Sequence, residues 1–201
     1  MSRTVRLLAL GTTMCLALLL TIGNAKARNF YEGGAFQKDL DALVKLLEDD
    51  KPDEAKVKAL VATIKKNNED LNDLMAIYKP TKSKGLGWDP AKKGKGDGLE
   101  THIINLGTKK ELTASELAKE KGHIRRAVYY NLAMVEITKA YAPTKSKAGK
   151  GAKEWNKHNM EVKEGSTEVL AAIKANDPKA LKKAMAKIGG GCNECHSDFR
   201  N

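Results

Sequence analysis

The chain has 201 residues, with 36 Lys and Arg against 25 Asp and Glu, a formal charge of +11 and only 5% aromatic residues. Few aromatics and 30% charged residues exclude an aromatic-rich β-sandwich and fit a helix-rich domain of Ala, Leu, Lys and Glu. Three cysteines exclude a disulfide-stapled scaffold.

Residues 1–27 read as a secretory signal peptide. Arg3 and Arg6 form a basic start, an apolar run follows from Leu7 to Ile22, and Ala25-Lys26-Ala27 fits small-x-small cleavage before Arg28. The run is short for a membrane anchor, which needs about 20 apolar residues. Cleavage leaves 174 residues of charge +8, no further apolar run long enough to span a membrane, and two cysteines, Cys192 and Cys195.

The remainder reads as helices joined by two basic loops. Residues 28–52 form an extra N-terminal segment, in which Phe36, Leu40, Leu43, Val44 and Leu47 recur at helical spacing before Pro52. Val57, Val61, Ile64, Leu71, Met75 and Tyr78 predict one long helix over 53–78. Lys79 to Gly98, rich in Lys, Gly and Pro, is a loop. A short helical segment runs from Leu99 to Leu106 and is ended by Gly107. Thr113-Ala114-Ser115-Glu116 is a capping box that opens a helix to about Tyr141. Pro143 to Lys153 is the second basic loop. A helix over 154–175 carries Trp155, Val162, Val169 and Ile173 on one face. Asp177-Pro178 then supplies an N-cap and a first-turn proline for the last helix.

No segment alternates with period two for long enough to be a strand. The expected fold is all-α: an antiparallel up-down-up-down four-helix bundle over 53–201, with an extra N-terminal helix. Tyr78-x-Pro-Thr-Lys-Ser-Lys84 is echoed at Tyr141-x-Pro-Thr-Lys-Ser-Lys147. The neighbouring residues do not repeat, so loop composition explains the echo better than duplication. In such a bundle the two copies sit at opposite ends.

The last helix carries the chemistry. Leu181, Met185, Ile188, Cys192, Cys195 and Phe199 are spaced 4, 3, 4, 3 and 4 residues apart, an unbroken apolar stripe. Both cysteines fall on it. Cys192-Asn193-Glu194-Cys195-His196 is the Cys-x-x-Cys-His attachment sequence for c-type haem. Residues three apart share a helix face, so both thiols reach vinyl groups of one porphyrin, and His196 supplies the axial iron ligand. Gly189, Gly190 and Gly191 weaken the helix by about 1 kcal/mol each relative to Ala, which points to a large group packed closely there. A redox Cys-x-x-Cys pair needs a βαβ context that is missing here. A zinc site needs a fourth, remote ligand. Haem c, one per chain, is the cofactor expected.

With that signal peptide, a helical bundle and the ending Cys192-Asn193-Glu194-Cys195-His196-Ser197-Asp198-Phe199-Arg200, the chain resembles the class II c-type cytochromes, the cytochrome c′ family. Leu74-Met75-Ala76-Ile77-Tyr78-Lys79-Pro80, Gly85-Leu86-Gly87-Trp88 and Ile103-Ile104-Asn105-Leu106 are similar to the planctomycete-type cytochrome c′-like proteins. The resemblance implies that Arg200 lies beside the axial histidine and tunes the haem, with Phe199 completing the ending. It also implies homodimerisation through the first two bundle helices, while the signal peptide itself predicts periplasmic or otherwise exported localisation. In this family a methionine early in the first bundle helix goes with six-coordinate iron, and an apolar residue there with five-coordinate iron.

Cys195 lies 17 residues past Pro178, which is about 26 Å along a helix. The same level on the other helices holds Val57 to Val61, Tyr130 to Met134 and His158 to Val162. The predicted distal side is therefore Val57, Leu60 and Val61, with Met134 and His158 as candidate sixth ligands and Trp155 either at the haem edge or in the core. Met75 falls near the wrong end of the bundle, and Met160 on the polar side. These features predict electron transfer through a five-coordinate haem, with diatomic gas (NO or CO) binding as the alternative. An enzyme is not expected, since no distal acid–base group stands out. The lysines at 79, 82, 84, 92, 93 and 95, and at 145, 147, 150 and 153, read first as solvated charge. The sharper alternative is docking to an acidic redox partner or an anionic membrane surface. Nucleic-acid binding is not expected, nor is an integral membrane protein after cleavage.

Overall fold

The computed structural model describes residues 35–91, 97–109, 111–146 and 149–200. Residues 1–34, including the segment read as a signal peptide, and Lys92, Lys93, Lys95 and Lys147 lie outside the described residues. Seven α-helices and no strand occur among the described residues: α1 (Ala35–Leu47), α2 (Glu54–Asn67), α3 (Leu71–Met75), α4 (Leu99–Thr108), α5 (Ala114–Lys139), α6 (Ala152–Ala175) and α7 (Pro178–Phe199). None is long and apolar enough to cross a membrane.

Most helix starts follow from local chemistry. Asp53 accepts hydrogen bonds from the Ala55 and Lys56 amides, both at 3.1 Å. The capping box of α5 forms in both directions: the Glu116 amide donates to Thr113 Oγ1 at 3.2 Å, and the Thr113 amide to Glu116 Oε2 at 2.8 Å. Asp177 accepts from the Lys179 and Ala180 amides, both at 3.0 Å. Each cap satisfies donors that a helix start leaves orphaned. Helix α6 begins two residues earlier than expected, because Glu154 reaches back to the Gly151 amide at 3.0 Å.

The long helix over 53–78 does not form. It breaks at Asn68-Glu69-Asp70, and a 3-10 turn, Ala76–Tyr78, follows α3. The cause is local competition for backbone groups. The Asn68 side chain donates to the Ile64 carbonyl at 2.7 Å, and Asp70 caps the Asn72 amide at 2.8 Å. The break is anchored from the turn just past α5, where the Tyr141 hydroxyl donates to the Asn68 carbonyl and Lys65 donates to the Ala140 carbonyl.

Those last two contacts tie the C-terminal end of α2 to the C-terminal end of α5. Antiparallel neighbours do not meet in that way. Helix α2 packs with α1 beside α5, and Tyr130 donates to Asp41 of α1 at 2.7 Å. The neighbours of α7 are α6 on one side and the short α4 on the other. Gly107 does not stop α4, which runs on to Thr108. It lets α4 approach α7: a Cβ at 107 would lie 2.7 Å from the Ala186 amide nitrogen. Across α6 and α7, a Cβ at Gly165 would lie 2.9 Å from Ile188 Cγ1. The core includes Leu40, Leu43, Ile64, Leu74, Leu99, Leu117, Ile124, Ile137, Leu181 and Met185, all essentially inaccessible.

Candidate functional site

Five segments line one cavity of about 290 Å³ around the last turns of α7. Helix α7 contributes Cys192, Cys195, His196, Phe199 and Arg200. Helix α6 contributes Trp155, His158, Asn159 and Val162, and α5 contributes Asn131, Met134, Val135 and Thr138. Ile103, Ile104 and Glu100 come from α4. Leu71, Met75, Tyr78 and Lys79 come from α3 and the turn that follows it.

The stripe predicted on α7 is present. Leu181, Met185 and Ile188 are buried in the core, and Cys192, Cys195 and Phe199 continue the same face into the cavity. Cys192 and Cys195 form no disulfide. Burial pushes the Cys192 thiol up to about 12, with Cys195 and Glu100 adding to the shift. It pushes Cys195 up to about 11, helped by Asp198. Burial among apolar neighbours thus favours the neutral thiol at both positions. The ligand atoms of Cys192, Cys195 and His196 also do not converge on one point, as a metal triangle requires.

Trp155 is almost fully buried. Its Nε1 donates to the Thr138 carbonyl at 2.8 Å, and its ring meets Phe199 edge-on with centroids 5.0 Å apart. These contacts fix both rings as one wall. Arg200 stands at the C-terminal end of α7, where its amide donates to the His196 carbonyl at 3.0 Å. The three glycines have separate surroundings. Gly191 lies against α6, where a Cβ would come within 3.1 Å of Val162 Cγ2. Gly189 borders the cavity, and a Cβ there, as at Gly190, would meet open space.

The cavity wall facing α7 differs from the expected distal side. Val57, Leu60 and Val61 do not line the cavity; they pack within the core on α2. The break at residues 68–70 redirects the chain, so that α3 rather than α2 reaches the cavity. For the same reason Met75, placed at the wrong end by a straight helix, is on the cavity wall. Met134 lines the cavity at the expected level and is 2% exposed. His158 also lines it, but Nε2 lies 3.0 Å from Asp198 Oδ2 and Nδ1 lies 3.5 Å from carboxylate oxygens of both Glu161 and Glu194. Both ring nitrogens thus face carboxylates.

Leu71, Met75, Tyr78, Glu100, Ile103 and Asn131 were not among the residues expected here. Asn131 stands on the predicted stripe of α5, and the break signal Asn68-Glu69-Asp70 was legible as a cap pair. The partner of α4 had no sequence signal. The two basic loops approach the same end of α7 rather than opposite ends of a bundle: Lys79 lines the cavity, and Lys150 lies 3.5 Å from Asp198.

The wall fits a flat apolar group held at Cys192 and Cys195. Most of its lining surface is apolar, both thiols and one imidazole share a helix end, and Lys79 and Arg200 are cations bordering the cavity for acidic substituents. Buried Asn131 leaves its Nδ2 without a hydrogen-bond partner, as a wall built around a further group can do.

Residues 130–200 match the family model described as Cytochrome C'. This stretch, similar to the haem-binding cytochromes c′, covers the end of α5 with α6 and α7. Helices α3 and α4 lie outside it. No curated protein and no solved structure matches the chain.

Proposed function

We propose that this chain is an exported monohaem c-type cytochrome of the cytochrome c′ kind, and that it transfers electrons. The observation that carries the reading is Cys192-x-x-Cys195-His196 on the wall of a largely apolar cavity, inside the stretch that matches the family model. In this reading haem c supplies a ferrous–ferric couple. Cys192 and Cys195 hold it by thioethers, and His196 provides the axial nitrogen. Trp155, Phe199, Ile103 and Val162 exclude water, which favours the less charged state of the couple. Arg200 and Lys79 offset the acidic substituents.

The proposed fold is a four-helix haem bundle in which α4 fills the place beside α7. The proposed iron is five-coordinate. Exposed Lys79, Lys82, Lys84, Lys145 and Lys153 give an acidic redox partner a surface of matching sign. Resemblance to the planctomycete-type proteins rests on residues 74–106, and export on residues 1–27.

A second reading, diatomic gas binding, has one observation in its favour: the unpartnered Nδ2 of Asn131, a donor on the α5 side of the cavity.

The test is to purify the exported protein and extract it with acidified organic solvent. Pigment that stays with the polypeptide, with an alkaline pyridine spectrum of the c type, is the expected result. Pigment lost to the solvent refutes thioether attachment. A low-spin spectrum with sulfur ligation would replace the open site by Met75 or Met134.

A further inference from the structure

His158, Glu161 and Glu194 bring one nitrogen and two carboxylate oxygens within 4.8 Å of one another. His158 is 4% exposed, and its Nδ1 has no hydrogen-bond partner. That atom lies 3.5 Å from Glu161 Oε2 and 3.5 Å from Glu194 Oε2. The separation is at the outer limit for a hydrogen bond. It is close to the ligand–ligand distance of a tetrahedral zinc site, about 3.4 Å for bonds of about 2.1 Å.

The other ring nitrogen completes the pattern. His158 Nε2 lies 3.0 Å from Asp198 Oδ2. With the proton on Nε2 donated to Asp198, Nδ1 presents a lone pair to two carboxylates. Three negative or lone-pair atoms facing one point repel unless a proton or a metal cation lies between them. A carboxylate on the far nitrogen is also how metal-bound histidines are commonly oriented.

We propose that His158 Nδ1, Glu161 and Glu194 bind a divalent transition-metal ion of the zinc class, with solvent in the fourth position. A nitrogen ligand beside two oxygens suits zinc better than calcium or magnesium. Glu194 is 59% exposed and Glu161 29% exposed on the side-chain scale, so the ion has a route from solvent. The second oxygen of Glu161 is held by Lys157 at 3.7 Å, which steadies the carboxylate. The bound ion clamps α6 to α7 through Glu194, one of the two residues between the cysteines. The site needs no haem and stands apart from the electron-transfer reading.

The experiment uses the full exported protein, metal-stripped, titrated with zinc chloride in a calorimeter, with thermal unfolding as a second readout. One zinc per chain and a rise in melting temperature are expected. Glu161→Gln with Glu194→Gln is expected to weaken binding at least tenfold and to abolish the rise. Both side chains are partly exposed, and circular dichroism checks that this variant folds. Asp198→Asn is expected to weaken binding about 10- to 100-fold, through loss of the orienting carboxylate. No zinc uptake at pH 7, or uptake unchanged in the double variant, overturns the proposal.

Discussion

Gly107 on α4 faces the backbone of Ala186 on α7, and a Cβ at 107 would lie 2.7 Å from the Ala186 amide nitrogen. No flexible side chain is there to yield, so the two helices must part. Gly107→Ala is expected to destabilise the protein by about 1–3 kcal/mol, the cost of overpacking. In an open helix the same change would gain about 1 kcal/mol. Gly122 on α5, with nothing within 4 Å of its Cβ position, provides that comparison. Urea unfolding of both variants decides: stabilisation by both would mean that α4 does not pack on α7 at this point.

The stripe of α7 depends on a helix start fixed by Asp177, whose side chain holds two amides. Asp177→Ala is expected to cost about 1 kcal/mol in the same assay. An unchanged midpoint would show that packing alone positions the helix.

Tyr130 and Asp41 make the stability sensitive to alkali. Burial, with the hydrogen bond to Asp41, pushes the Tyr130 hydroxyl up to about 12. An unfolded tyrosine ionises near pH 10. A pKa raised in the folded state gives stability that is whole below about pH 10 and is lost as pH rises towards about 12. Tyr78 and Tyr141 are shifted in the same direction, chiefly by burial. Tyr130→Phe should therefore reduce the alkaline decline without removing it. Denaturant midpoints measured from pH 8 to 12 test this, and an identical decline in the variant contradicts it.

The two cysteines are expected to act separately under the proposed function. Cys192→Ala or Cys195→Ala leaves one thioether, and pigment stays attached. The double variant yields it to acidified solvent. Release from either single variant would mean that only one thiol is bonded.

His196→Ala is expected to change the spin state and absorption of the pigmented protein while Cys192 and Cys195 still retain it. An unaltered spectrum would remove His196 from the iron. His158→Gln is the comparison, since both nitrogens of His158 face carboxylates.

Much of the local structure was legible. Thr113 and Glu116, Asp177 and Pro178, and the 4-3-4-3-4 stripe each act within a turn or two, where neighbours in sequence are neighbours in space. The break at Asn68-Glu69-Asp70 is equally local, but the apolar period ran through it from Ile64 to Leu71 and Met75. Periodicity continued where backbone competition did not allow the helix to. That displaced the distal wall from Val57, Leu60 and Val61 to Met75 and Tyr78.

By itself the sequence determined the helical class, the caps and the grouping of Cys192, Cys195 and His196 on one helix end, because each depends on spacing along a single element. Only the tertiary structure decided that α4 lies against α7, that α2 turns away with α1, and that His158 meets Glu161, Glu194 and Asp198. Those are meetings between surfaces far apart in the chain. They are settled by close backbone approaches such as Gly107 on Ala186 and by the bend at Asn68, whose consequences no single periodic stripe records.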